Sequence, residues 1–122
     1  MLKYSTEQLD GIFHALSDST RREMVERLCK GKVSVSDLAQ PFDMSLPAIV
    51  QHLRVLEECG IVKTEKVGRV RTCSLDVSGF TMVEGWVADQ RITWEARLDR
   101  LAIFLEKQSN SQNNPPKGQV SG

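Results

Sequence analysis

Up to Gly60 the apolar positions fall at helical spacing, and each helical run opens on a residue suited to capping. Ser5, with Gln8 three positions on, has capping-box spacing, and Leu9, Ile12, Phe13 and Leu16 follow at i, i+3, i+4 and i+7. A first amphipathic helix of about three turns is expected there. Asp18 can cap a second helix with Met24, Val25 and Leu28 on its inner face and Gly31 just past its end. Ser34 and Asp37 repeat the capping spacing for a short third helix, which Pro41 stops. A turn over 41–44 leads into a fourth helix over 45–59, closed by Gly60, in which Pro47 is tolerated because it lies in the first turn.

Beyond Gly60 the period changes. Two β-branched runs, 61–67 and 70–75, flank Gly68-Arg69 and predict a β hairpin. A helical pattern returns from Phe80 to about Lys107, where Val87, Trp94, Leu98, Leu101 and Leu105 keep a seven-residue rhythm that Arg91 interrupts. Residues 108–122 are polar and rich in Pro and Gly, and are expected to be a disordered tail to a domain formed by 1–107.

Composition narrows the function class. The chain has 122 residues, 40% hydrophobic and 26% charged, with 16 basic against 16 acidic side chains, as in one ordinary globular domain. A zero balance is not that of a generic polyanion binder, so any nucleic-acid site must come from local charge placement. The roughly 18-residue apolar run of a membrane span is absent, as is the apolar core of a signal peptide. With Cys29, Cys59 and Cys73 scattered and no CxxC pair, a cytoplasmic chain without membrane contact is expected. His14 and His52 are the only histidines, and no Ser/His/acid grouping, phosphate loop or metal-spaced cluster is present, so an enzyme is not expected, nor a cofactor.

Short helix, tight turn, helix, then ribbon is the order of a winged helix-turn-helix, a mainly α (α+β) fold with a two-stranded β wing and a long C-terminal helix. In this reading the third helix braces the fourth, whose buried stripe is Ile49, Leu53 and Leu56, with His52 on its flank as a seat. Ser45 and Leu46 lead into the opposite face of Pro47, Val50, Gln51 and Arg54. In a major groove Gln51 can pair with adenine, Leu46 and Val50 can meet thymine methyls, and Arg54 can reach phosphate. The bland alternative packs Leu46 and Val50 under the hairpin. Lys63, Lys66, Arg69 and Arg71 on the ribbon, opposed there only by Glu65, suit DNA phosphates or a minor groove, or else a solvated edge strand. Arg21 and Arg22 could add a phosphate contact near the start of the second helix, but surface pairing with Glu23 and Glu26 is expected.

Residues 9–75 resemble the ArsR family of bacterial winged-helix repressors. The matching segments are LSDSTRREMVERL (16–28), VSVSDLA (33–39), MSLPAIVQHLRVLEECGIV (44–62) and VGRVRTCSL (67–75). The resemblance implies a homodimer on double-stranded, two-fold symmetric operator DNA, repressing its own or an adjacent operon. It also implies that the first and last helices form the dimer interface, through Leu9, Phe13, Val87, Trp94, Leu98, Leu101 and Leu105.

Two departures bear on what such a protein would sense. Many members hold thiophilic metals through a CVCDL stretch, which here reads Ser34-Val35-Ser36-Asp37-Leu38, with neutral hydroxyls in place of both thiolates. A second family site on the last helix uses acid and histidine pairs, yet only Asp89 remains in Asp89-Gln90-Arg91 and no histidine follows His52. WEARLDRL (94–101) is similar to the ending of a metal-lacking branch whose effector is generally unclear. Trp86 and Trp94 are read as interface aromatics rather than a small-molecule pocket, and the cysteines as structural, with Cys59 and Cys73 able to approach each other. The rival from another class is a dimeric winged-helix interaction scaffold that has lost DNA binding.

Overall fold

The computed structural model describes residues 5–113. In chain order these form α1 (Thr6–Leu16), α2 (Ser19–Leu28), β1 (Val33–Ser34), α3 (Val35–Ala39), α4 (Leu46–Glu58), β2 (Val62–Val67), β3 (Val70–Leu75) and α5 (Val77–Asn113). The expected caps are made. The Ser5 hydroxyl accepts from the Gln8 N–H, the Asp18 carboxylate from Arg21, Ser34 from Asp37 and Ser45 from Ala48, all at 3.0–3.3 Å. Each bond satisfies one orphan donor of a first helical turn, which is why the helices start where they do.

The end of α4 is equally specified. Gly60 takes φ 86°, a left-handed conformation that costs a glycine little. The Gly60 and Ile61 N–H groups then turn back onto the carbonyls of Glu57 and Leu56, the double closure of a Schellman ending. That reversal sends the chain straight into β2.

The sheet has the order β1-β3-β2, all antiparallel. Val67 pairs with Val70 across the two-residue turn Gly68-Arg69. Gly68 has φ 64° while Arg69 stays at negative φ, which excludes a type I′ turn and fits the II′ pattern. The two-residue strand β1 was not expected from the pattern. It pairs Val33 with Cys73 and Ser34 with Thr72, pinning the base of the hairpin beside the start of α3.

The core joins Ile12 and Ala15 of α1, Met24, Val25 and Leu28 of α2, Leu38 of α3, and Ile49, Leu53 and Leu56 of α4 to Ile61, Val62 and Cys73 of the sheet. Leu56 and Ile49 are fully buried, so α4 is fixed by one face and free on the other. The order α3, turn, α4, hairpin around this core is a winged helix-turn-helix.

The last helix differs from expectation at both ends. It starts at Val77 instead of Phe80 because the Asp76 carboxylate accepts from the Ser78 N–H and hydroxyl at 3.1 and 2.7 Å. It runs past Lys107 to Asn113, no Pro or Gly intervening to stop it, so 108–113 are helical and not a disordered tail. The rest of the expected tail, 114–122, lies outside the described residues. The described residues divide at Trp86 into two compact units, 5–86 and 87–113. Among the described residues no helix is long and apolar enough to cross a membrane.

Candidate nucleic-acid interface

Along the outer face of α4, Pro47, Gln51 and Arg54 are exposed, Leu46 is 52% exposed and Val50 38%, and Ser45 caps the helix at the same end. A free helical face that mixes apolar and amide side chains has little to do for stability in water, since exposed apolar area lowers the free energy only when it is covered.

The ribbon stands beside this face. Antiparallel register puts Lys66 opposite Arg71, and both share a face with the Thr64–Cys73 and Val62–Leu75 pairs below them. That face changes from apolar at the body to doubly cationic toward the tip. Like charges directly opposite each other destabilise a hairpin, so the Lys66–Arg71 pair favours an anion against it. Arg69 sits in the turn itself. Lys63 does not belong with these cations: strand alternation places it, with Glu65, on the other face. There it helps to lower the Asp76 pKa, although the Ser78 hydrogen bonds lower that carboxyl more.

Between α4 and the ribbon lies a hollow of about 80 Å³, lined in part by Val50, Arg54, Glu57, Thr64 and Arg71. Two arginines, one from each element, therefore line one small concavity. Glu57 adds an opposing charge, and its carboxylate accepts from the Thr64 hydroxyl at 2.8 Å. Val50 thus meets both readings of it: one edge is open and another faces the hairpin.

Arg21 is not a surface ion-pair residue. Its Nε donates to the Ala15 carbonyl at 2.7 Å and its guanidinium to the His14 carbonyl at 3.4 Å, while Arg22 donates to the Leu16 carbonyl at 2.7 Å. Both arginines thereby finish α1, where positive charge meets the negative end of the helix. Arg21 also bonds His52 Nδ1 at 3.2 Å, and Asp18 lies 4.0 Å from the same nitrogen. The Arg21 N–H, aided by the charge of Arg21 and the nearby His52, holds the Asp18 carboxyl below the ordinary aspartate range. No helical or strand periodicity in the sequence points to this cluster.

Other expected residues fall as follows. Phe13 is 43% exposed and meets Trp86 edge to face, with ring centres 5.5 Å apart, so Trp86 is engaged within its own unit. Leu9, expected at a dimer surface, is instead 6% exposed in the core of its own chain, because α1 turns that stripe inward. In the second unit Val87, Trp94, Leu98, Leu101 and Leu105 are exposed along one side of α5, and Ile92, Ile103 and Phe104 are exposed as well. Cys59 and Cys73 are buried free thiols, donating to the Leu56 and Val33 carbonyls at 3.3 Å, and burial raises both pKa values. Ser34, at the first thiolate position of the CVCDL stretch, spends its hydroxyl oxygen on the α3 cap.

Comparison with known proteins agrees with this architecture. Residues 18–64, from α2 into β2, match the family described as bacterial regulatory protein, arsR family. The HTH-type transcriptional regulator Rv2034 of Mycobacterium tuberculosis is 41% identical over 101 residues, which cover 83% of this chain and 92% of that protein. The transcriptional repressor SdpR of Bacillus subtilis is 30% identical over 79 residues, covering 65% of this chain and 88% of that one. The crystal structure of an ArsR family transcriptional regulator superposes with a TM-score of 0.72 at 50% identity, over 78% of this chain and 97% of that chain.

Proposed function

The chain belongs to the ArsR family of bacterial regulatory proteins, DNA-binding transcriptional regulators rather than enzymes, and from that premise we propose that it is a homodimeric, operator-specific repressor. The observation that carries this reading is the open face of α4 beside the cationic face of the ribbon, two elements that present base-reading and phosphate-reading groups on either side of one hollow. In B-DNA α4 is the recognition helix in the major groove. Gln51 reads adenine there, Leu46 and Val50 lie against thymine methyls, and Ser45 and Pro47 bring the helix N-terminus close to the base edges. Arg54 and Arg71 bind backbone phosphate, and Lys66 and Arg69 extend that contact along the ribbon, with Lys63 marginal on the far face.

The exposed stripe of α5, from Val87 through Trp94, Leu98 and Leu101 to Leu105, is the seam for a second copy. A two-fold dimer carries two recognition helices and so requires a symmetric operator. The SdpR relative, named a repressor, supports repression as the outcome. Hydroxyls at Ser34 and Ser36 support a regulator that does not answer to thiophilic metals at that position.

Binding to the DNA upstream of its own coding region, measured at two salt concentrations, tests the proposal. A tight site whose affinity falls steeply with salt is expected, against weaker binding to unrelated duplex. Equal, weak binding to every duplex would leave an interaction scaffold as the better reading.

A further inference from the structure

Arg21 joins three elements through one guanidinium. Two of its bonds finish α1, at the Ala15 and His14 carbonyls, and the third goes to His52 on the flank of α4. Its own N–H meanwhile lies on the Asp18 carboxylate that caps α2. Because a guanidinium can only donate, the 3.2 Å contact is a hydrogen bond when His52 Nδ1 is the acceptor, with the Asp18 carboxylate 4.0 Å from the same nitrogen. His52 stands next in sequence to Gln51, one residue turned toward the protein and the other toward solvent. A shift of His52 is therefore a rotation of the outer face of α4.

We propose that Arg21 is a positioning residue for DNA reading: acting through His52, it sets the orientation of α4 from the end of α1. This rests on the reading of α4 as the recognition helix. Arg22 is the internal control, since it finishes the same helix through the Leu16 carbonyl but has no bond to α4. If capping α1 were all that mattered, His52→Leu would leave operator binding unchanged, since it removes no bond to α1.

The test compares operator and non-operator duplex binding for the full chain, with a thermal melt of each variant to confirm folding. Arg21→Ala and His52→Leu are expected to weaken operator binding by about tenfold, the scale of one hydrogen bond to a charged group, and to leave non-operator binding and the salt slope unchanged. His52→Asn, which keeps an acceptor near the Nδ1 position, should stay within about twofold of the parent, as should Arg22→Ala, since neither removes the bond between helices. The double variant Arg21→Ala/His52→Leu should be no weaker than either single one. In the unaltered chain, nitrogen NMR should find Nδ1 of His52 unprotonated.

A flattened salt slope for Arg21→Ala would make it a phosphate contact and overturn the proposal, as would equal losses from Arg22→Ala. A protonated Nδ1 overturns it without reference to DNA. If the parent chain itself preferred no duplex, the DNA reading would fall first and take this inference with it.

Discussion

The Thr64 hydroxyl on β2 donates to the Glu57 carboxylate on α4 at 2.8 Å, fastening the ribbon to the C-terminal half of the helix beside it. Both partners line the hollow that Arg54 and Arg71 also line, so the bond ties the helix proposed to read bases to the ribbon proposed to hold phosphate. Thr64→Val keeps the shape and removes the donor. A stability loss of about 0.5–1.5 kcal/mol is expected in a denaturant melt, together with weaker operator binding. Glu57→Gln keeps an acceptor and removes the negative charge, and should strengthen binding to operator and non-operator DNA alike. Weaker binding by Glu57→Gln would show that the carboxylate helps DNA binding and does not oppose it.

Gln51 and Arg69 separate the two kinds of contact. Gln51→Ala should cost about 1–3 kcal/mol on the operator and relax preference at one base position. Arg69→Ala should weaken all duplexes similarly and flatten the salt dependence by about 0.9 log units per log of salt concentration. Titrations at several salt concentrations read both effects, and an unchanged slope for Arg69→Ala removes the turn from the phosphate backbone.

The apolar stripe of α5 makes a prediction about assembly. Leu98 and Leu101 are exposed in the single chain, so replacing both with Glu costs little in the monomer, whereas burying two carboxylates against a second copy is strongly unfavourable. Sedimentation should show the Leu98→Glu/Leu101→Glu variant as monomer and operator binding should collapse. A dimer that survives the change places the seam elsewhere.

What the sequence made legible was local. Ser5, Asp18, Ser34 and Ser45 each cap a helix three residues before the N–H they bind, a pattern readable in one dimension. The buried stripe of α4 followed from spacing in the same way. Non-local features were not legible. β1 has two residues, and its Val33 carbonyl accepts from Cys73 at a separation of 40 positions, so no run of alternating residues marks it. Arg21 has glutamates close by in sequence, yet it bonds across to His52. Two further features follow from local rules alone. The odd–even split of Lys63 from Lys66 follows from strand alternation, and Asp76 two residues before Ser78 is a cap that predicts the early start of α5.

Thiol chemistry should single out one cysteine. Cys29 is exposed, whereas Cys59 and Cys73 are buried with pKa values raised by desolvation, so they stay protonated and shielded at neutral pH. Native alkylation at neutral pH should add one label per chain, at Cys29, with the other two reacting only after denaturation. Because folding raises these two pKa values, stability should decline as pH rises through and above the ordinary thiol range, where the unfolded chain releases its protons first. Mass spectrometry checks the labelling and a melt series the decline; early labelling of Cys73 would mean that the β1–β3 pairing opens readily.

The sharpest stability prediction concerns Gly79 in the first turn of α5. A Cβ built there would come 2.4 Å from the Gly60 carbonyl oxygen and 2.9 Å from its carbon, both backbone atoms that cannot rotate aside. Gly60 in turn holds the left-handed ending of α4, and the Asp76 N–H is bonded to the Ile61 carbonyl at 2.7 Å, so the reversal after α4 and the start of α5 are locked together. Gly79→Ala must push these segments apart despite the better helix propensity of alanine, which favours the substitution by only about 1 kcal/mol. A net loss of about 1–3 kcal/mol is expected from the forced overlap. Gly85→Ala is the matched control: nothing lies within 4 Å of its added Cβ, so the propensity gain should appear as a small stabilisation. Gly79→Ala as stable as Gly85→Ala would mean that α5 does not start against Gly60.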